Sequence, residues 1–238
     1  MPSLSELLSS FDVKQGLVLP DSWRQGRTGY GGIITALGVA AAVQAYPGQM
    51  PPLRSVQVSF IGPTIGLLTF TPLLLREGKS VVNVDVDVHA EGALAARLIL
   101  VFGRARDSAI VHDFCERPSV GNPLACREFK MSEVPFAPAF TRNFQMRPAG
   151  GALPVSGAVH PELLIWMRHD NASGVDPAIA LVAMADALPP AAFTSFNAPA
   201  PISSIHWSFD LLGPVPAGEW FLLRSFREQA RGGYSSQD

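Results

Sequence analysis

A long-range repeat constrains this chain more than any other feature. Leu53-Arg54-Ser55-Val56-Gln57-Val58-Ser59-Phe60 returns as Ile202-Ser203-Ser204-Ile205-His206-Trp207-Ser208-Phe209. A Gly-Pro pair follows each copy (Gly62-Pro63, Gly213-Pro214), then a second glycine (Gly66, Gly218). An apolar run then ends in Arg76-Glu77 or Arg227-Glu228, and Gly78-Lys79-Ser80 corresponds to Gly233-Tyr234-Ser235. Solenoid repeats recur about every 20–50 residues, whereas here the spacing is about 150, so the chain is a duplicated domain.

An apolar segment precedes each copy, Gly31 to Tyr46 in the first and Pro177 to Ala187 in the second. Each predicts a helix apolar almost all round, and such a helix must be buried on every face. The strands that follow alternate: Val82, Val84, Val86 and Val88 interleave with Asn83, Asp85, Asp87 and His89, which gives one buried and one wet face. Arg76-Glu77-Gly78-Lys79 and Glu91-Gly92 read as hairpin turns, and Pro63 and Pro72 are expected near strand starts or turns. The expected architecture is α+β: two antiparallel sheets, each wrapped around a buried central helix. Residues 1–106 form the first unit, 107–137 a linker and 138–238 the second unit. After Ser80 the first copy continues through Val81–His89 and Ala93–Arg104, but the chain ends at Asp238, shortly after Ser235. The second sheet is therefore expected to lack its last strands.

Hydrophobic residues make up 47% of the chain, enough for a sizeable core, and the net charge is −2. No basic field favours nucleic acid or an anionic membrane surface. No apolar run reaches the ~18 residues of a membrane span. Met1-Pro2-Ser3-Leu4 lacks the pattern of a secretory signal, so a cytoplasmic location is expected, with Cys115 and Cys126 as free thiols.

Gly29-Tyr30-Gly31-Gly32 opening a helix, then Ser55 to Phe60 and Arg76 to Ser80, resembles the first half of acyl-CoA thioesterase II-like proteins. Met184-Ala185-Asp186-Ala187-Leu188-Pro189-Pro190, Ser203 to Phe209 and Gly218-Glu219-Trp220 resemble the second half. The resemblance implies a double hotdog fold, a fatty acyl-CoA substrate, no cofactor and a homodimer. It implies hydrolysis by a water molecule without a covalent intermediate. In that family an Asp, a Ser or Thr and a Gln hold the water. Asp186 matches the Asp and Ser204 the hydroxyl residue, while the Gln has no counterpart before the end of the chain.

Asp186 stands out from its own surroundings as well, because the helix before it, Ala178 to Ala185, carries no other charge. A desolvated carboxylate acquires the raised pKa of a useful base; the alternative is a structural cap ahead of Leu188-Pro189-Pro190. Ser204 is either a water ligand or an ordinary strand serine, as Ser55 would be in the first copy. Gly31 and Gly32 are expected to bind substrate through free N–H groups at a helix start, with glycine allowing close approach; the alternative is a tight turn. Asp85, Asp87 and His89 read as a solvated face and not as a metal site. Of His206 and Trp207, the tryptophan is the expected core member. No nucleophile elbow or Cys-His pairing is present. The competing function is non-catalytic acyl-CoA or lipid binding, and a purely structural protein is a third possibility.

Overall fold

The structure is a computed structural model and describes residues 1–130, 134 and 137–238. Residues 131–133, 135 and 136 of the expected linker lie outside the described residues, as do the side chains of the repeated pair Arg227-Glu228. The chain begins with α1 (Leu4–Ser10), started by a reciprocal capping box between Ser3 and Glu6. Strand β1 (Leu17–Val18) and a small hairpin of β2 (Arg24–Gln25) and β3 (Thr28–Gly29) lead into α2 (Gly31–Ala45). Then come β4 (Leu53–Phe60), β5 (Leu67–Glu77), β6 (Val81–Ala90) and β7 (Ala93–Gly103).

The β6–β7 turn is the expected Glu91-Gly92, both at positive φ (48° and 83°), as two-residue hairpins require. The four valines Val82, Val84, Val86 and Val88 are buried at 3% exposure or less, as their alternation predicts. Pro72 departs from expectation: it lies inside β5, opposite Val86. It is tolerated there because β1 covers the other side of β5 only at Leu67 and Leu68. Along that open edge the Tyr46 hydroxyl donates to the Pro72 carbonyl (3.3 Å) and accepts from the Leu74 N–H (2.9 Å).

The second half contributes β8 (Phe144–Gly151), β9 (Glu162–His169), α3 (Pro177–Ala185), β10 (His206–Asp210), β11 (Phe221–Arg231) and β12 (Tyr234–Gln237). Strands β12-β11-β9-β8 form one antiparallel sheet, and β10 joins the other, whose order is β1-β5-β6-β7-β4-β10. The pairing of β10 with β4 follows the repeat. Val58 lies opposite Trp207, its own counterpart, and Ser59–His206 and Gln57–Ser208 flank that pair symmetrically. A local two-fold therefore passes between the two copies of the repeated strand. Trp207 packs against the core and His206 is exposed.

The two helices differ in burial. Residues Gly32 to Ala42 of α2 are buried without a break, among β5, β6, β7 and α3. The expectation of complete burial fails for α3. Pro177 and Ala185 are exposed, and only Ile179, Val182, Ala183 and Met184 are buried. Helix α3 packs on α2 and β9. Among the described residues, no strand links the short β12 to β10, so the cover that β6 and β7 give α2 has no counterpart over α3. The second repeated strand also starts later than its sequence implies. Residues 201–205 are not strand, and β10 begins at His206. Among the described residues, no helix is long and apolar enough to cross a membrane.

Candidate active site

Helices α2 and α3 pack side by side with the N-terminus of α2 next to Asp186, the C-cap residue of α3. The start of α2 is tied down from the loop after β4. The Gly29 N–H donates to Thr64 Oγ1 (2.9 Å), and the Thr64 N–H donates to Thr28 Oγ1 (2.9 Å). Tyr30 is the N-cap, but its side chain makes no capping bond. The first intrahelical bond runs from the Ile34 N–H to the Tyr30 carbonyl (3.2 Å), which leaves the earlier N–H groups open.

Asp186 fills that opening. A Cβ placed on Gly31 would lie 2.6 Å from Asp186 Oδ2 and 2.9 Å from Phe60 Cζ. The carboxylate thus sits against the first turn of α2, with the Phe60 ring beside it. Two opposed effects set its pKa. Burial pushes it up, and the nearby Gly32 N–H pulls it down. Burial dominates, and the pKa rises to about 7. A carboxyl group with that pKa exchanges its proton near neutrality, as a general base must.

The room expected beside the two glycines is taken by protein. Asp186 and Phe60 occupy the space at Gly31, and the Tyr30 ring occupies the space at Gly32, its Cζ 2.6 Å from where a Cβ would stand. Neither glycine has positive φ, so close approach and not backbone conformation requires them. Ser204 is exposed, precedes β10, and among the described residues its hydroxyl makes no hydrogen bond. Its neighbour Ile205 accepts from the Phe60 N–H (3.0 Å), which brings the backbone next to Ser204 to the strand end that carries the Phe60 ring. The structure thus brings Asp186, Gly31 and Gly32 together and leaves Ser204 outside direct contact. Asp85 and Asp87 face Arg97, which binds Asp87 through two nitrogens (2.6 and 2.7 Å).

Two aromatic residues that the sequence did not single out shape the site. Phe60 packs at Gly31. Tyr30 stacks on Phe140 of the second half, with ring centroids 3.9 Å apart and planes 3° from parallel. The aromatic flanked by glycines in Gly29-Tyr30-Gly31-Gly32 was the available signal.

Residues 19–103 match the family model of the acyl-CoA thioesterase N-terminal domain, and residues 123–238 match that of the C-terminal domain. Among solved structures, the chain is similar to a conserved protein of unknown function with a hot dog fold from Alicyclobacillus acidocaldarius, with 19% identity and a TM-score of 0.82. That similarity covers 92% of this chain and 83% of the other. It is also similar to the tesB protein of Mycobacterium avium subs paratuberculosis (18% identity, TM-score 0.73, 92% and 82% covered). A third similar structure is an acyl-CoA thioesterase II, TesB2, of Mycobacterium marinum (19% identity, TM-score 0.66, 87% and 80% covered). No curated protein sequence matches. At these identities the structural likenesses establish the fold, which is that of hotdog proteins.

Proposed function

The chain belongs to the acyl-CoA thioesterase family, and from that premise we propose that it hydrolyses fatty acyl-CoA thioesters with Asp186 as the general base. A water molecule held by the Asp186 carboxylate attacks the thioester carbonyl carbon, and the carboxylate takes its proton. The carbon–sulfur bond breaks, and CoA leaves as a thiolate that acquires the proton, giving the free acid and CoA. Thiolate is a good leaving group, so no strong acid is needed at sulfur. The Gly31 N–H at the start of α2 is the donor nearest the developing oxyanion, and donors fixed in advance at such a point are worth several kcal/mol. Ser204 holds the water from the opposite side, which requires the segment 201–205 to close toward Asp186 when substrate binds. In this reading α2 is the central helix of a hotdog unit and α3 is its counterpart in the second, packed on α2 and β9 with less cover.

The observation that carries the proposal is the Asp186 carboxylate seated against the open N-terminus of α2, where burial raises its pKa to about 7. The test is thiol release from a panel of acyl-CoAs. Asp186→Asn and Asp186→Ala should each lower kcat/KM by roughly 10²–10⁴. Turnover equal to that of the parent protein would remove Asp186 from the mechanism.

One observation favours the second reading, a non-catalytic acyl-CoA-binding protein: Ser204 stands exposed with no bond to Asp186. Tight binding of acyl-CoA in calorimetry, without thiol release, would establish that reading in place of the first.

A further inference from the structure

Tyr30 is completely buried, and among the described residues its hydroxyl has no hydrogen-bond partner. An unpaired buried hydroxyl costs stability, and a phenylalanine in the same place would avoid that cost. The ring has little freedom. It stacks on Phe140 and meets Phe144 edge-on at 6.4 Å. Its oxygen lies in the notch at Gly32, and Asp186 Oδ2 lies in the notch at Gly31, so phenol and carboxylate face adjacent residues of one helical turn. Burial raises the Tyr30 pKa most, and the Asp186 charge raises it further, so the phenol keeps its proton. A hydroxyl proton rotates to suit its surroundings. With no acceptor of its own, the O–H dipole turns toward the nearest negative charge, and the low local dielectric strengthens that attraction.

We propose that Tyr30 is a positioning residue for the base, its O–H turned toward the Asp186 carboxylate across the Gly31–Gly32 turn so that the ionised form is held ready. The inference rests on the reading of Asp186 as that base. It accounts for a tyrosine in a wall otherwise made by Phe140, Phe144 and Phe60.

The test follows the Asp186 carboxyl directly, by carbon NMR of aspartate-labelled protein with Asp186→Asn identifying the resonance. Tyr30→Phe should move the Asp186 titration upward by roughly half to one pH unit. The kcat/KM for thiol release should then fall roughly three- to tenfold below neutrality and recover at high pH. In place of a poorly folding variant, 3-fluorotyrosine at position 30 supplies a stronger donor of nearly the same volume and should move the titration downward. An Asp186 titration unmoved by either change in folded protein overturns the role of Tyr30, even if hydrolysis is robust. A titration that moves in a protein releasing no thiol supports the coupling and instead overturns the proposed reaction.

Discussion

At the scale of single residues, the property that makes Asp186 useful also makes it a burden. Its folded-state pKa of about 7 lies above the ordinary aspartate value of 3.8. Between those values the folded protein binds more protons than the unfolded chain, so stability is greatest in acid and falls as pH rises from about 4 to about 7. Each pH unit between them is worth about 1.4 kcal/mol, so the full cost at higher pH is at most ~4 kcal/mol. Asp186→Asn removes the ionisation and keeps a side chain of nearly the same shape with an oxygen acceptor. Thermal denaturation should show the variant equal to the parent near pH 4 and more stable near pH 8, by roughly 5–10 °C. A parent protein whose melting temperature stays flat between those pH values would contradict the burial of this carboxylate. Gly31→Ala should act in the opposite sense. Its methyl meets both Asp186 Oδ2 and the Phe60 ring, so it should cost about 1–3 kcal/mol in denaturant titrations and suppress thiol release. Asp186 was legible in the sequence because it is the one charge on an apolar segment. The two glycines were legible as a pair, but not their reason, since the groups that fill their notches come from Tyr30, from β4 and from the far end of α3. Ser204 was proposed from the family resemblance as a hydroxyl on the strand after the second helix, and that resemblance could not show that β10 starts two residues beyond it, at His206.

At the scale of elements, the alternation of valines and the glycine-containing turns predicted β6 and its hairpins correctly, because both signals are local. What the sequence could not show was which strand edges stay open, since that depends on partners distant in the chain. Pro72 illustrates the point. Its place inside β5 is tolerable only because β1 pairs with no more than the first residues of that strand, and Tyr46 from the end of α2 patches the exposed edge. Tyr46→Phe removes both hydrogen bonds. It should destabilise the protein by about 1–2 kcal/mol and raise amide exchange at Leu74, with little change in thiol release. Unchanged exchange at Leu74 would mean that water serves that edge as well as the hydroxyl does. Helix α3 carries the same lesson in reverse. Its composition matches that of a wholly buried helix, yet burial requires a covering sheet, and composition alone cannot supply one.

For the molecule as a whole, the repeat has a consequence that neither half shows alone. The copies meet through β4 and β10 at the Val58–Trp207 pair, α2 packs on α3, and Tyr30 stacks on Phe140, so sheet, helices and aromatic wall all join the halves. The site is made at the same junction, its glycines from one half and its carboxylate from the other. A half that opened by itself would take Asp186 away from the start of α2, so under the proposed function the site works only while both halves are folded. Trp207→Ala tests this at the local two-fold. The side chain is half-buried, so its loss should cost less than a full core deletion, about 1.5–3 kcal/mol. Calorimetry should show one transition for parent and variant alike, shifted to lower temperature in the variant. Two separated transitions, with the first half melting at its original temperature, would show that the halves are stable independently and that the junction holds the site without holding the fold.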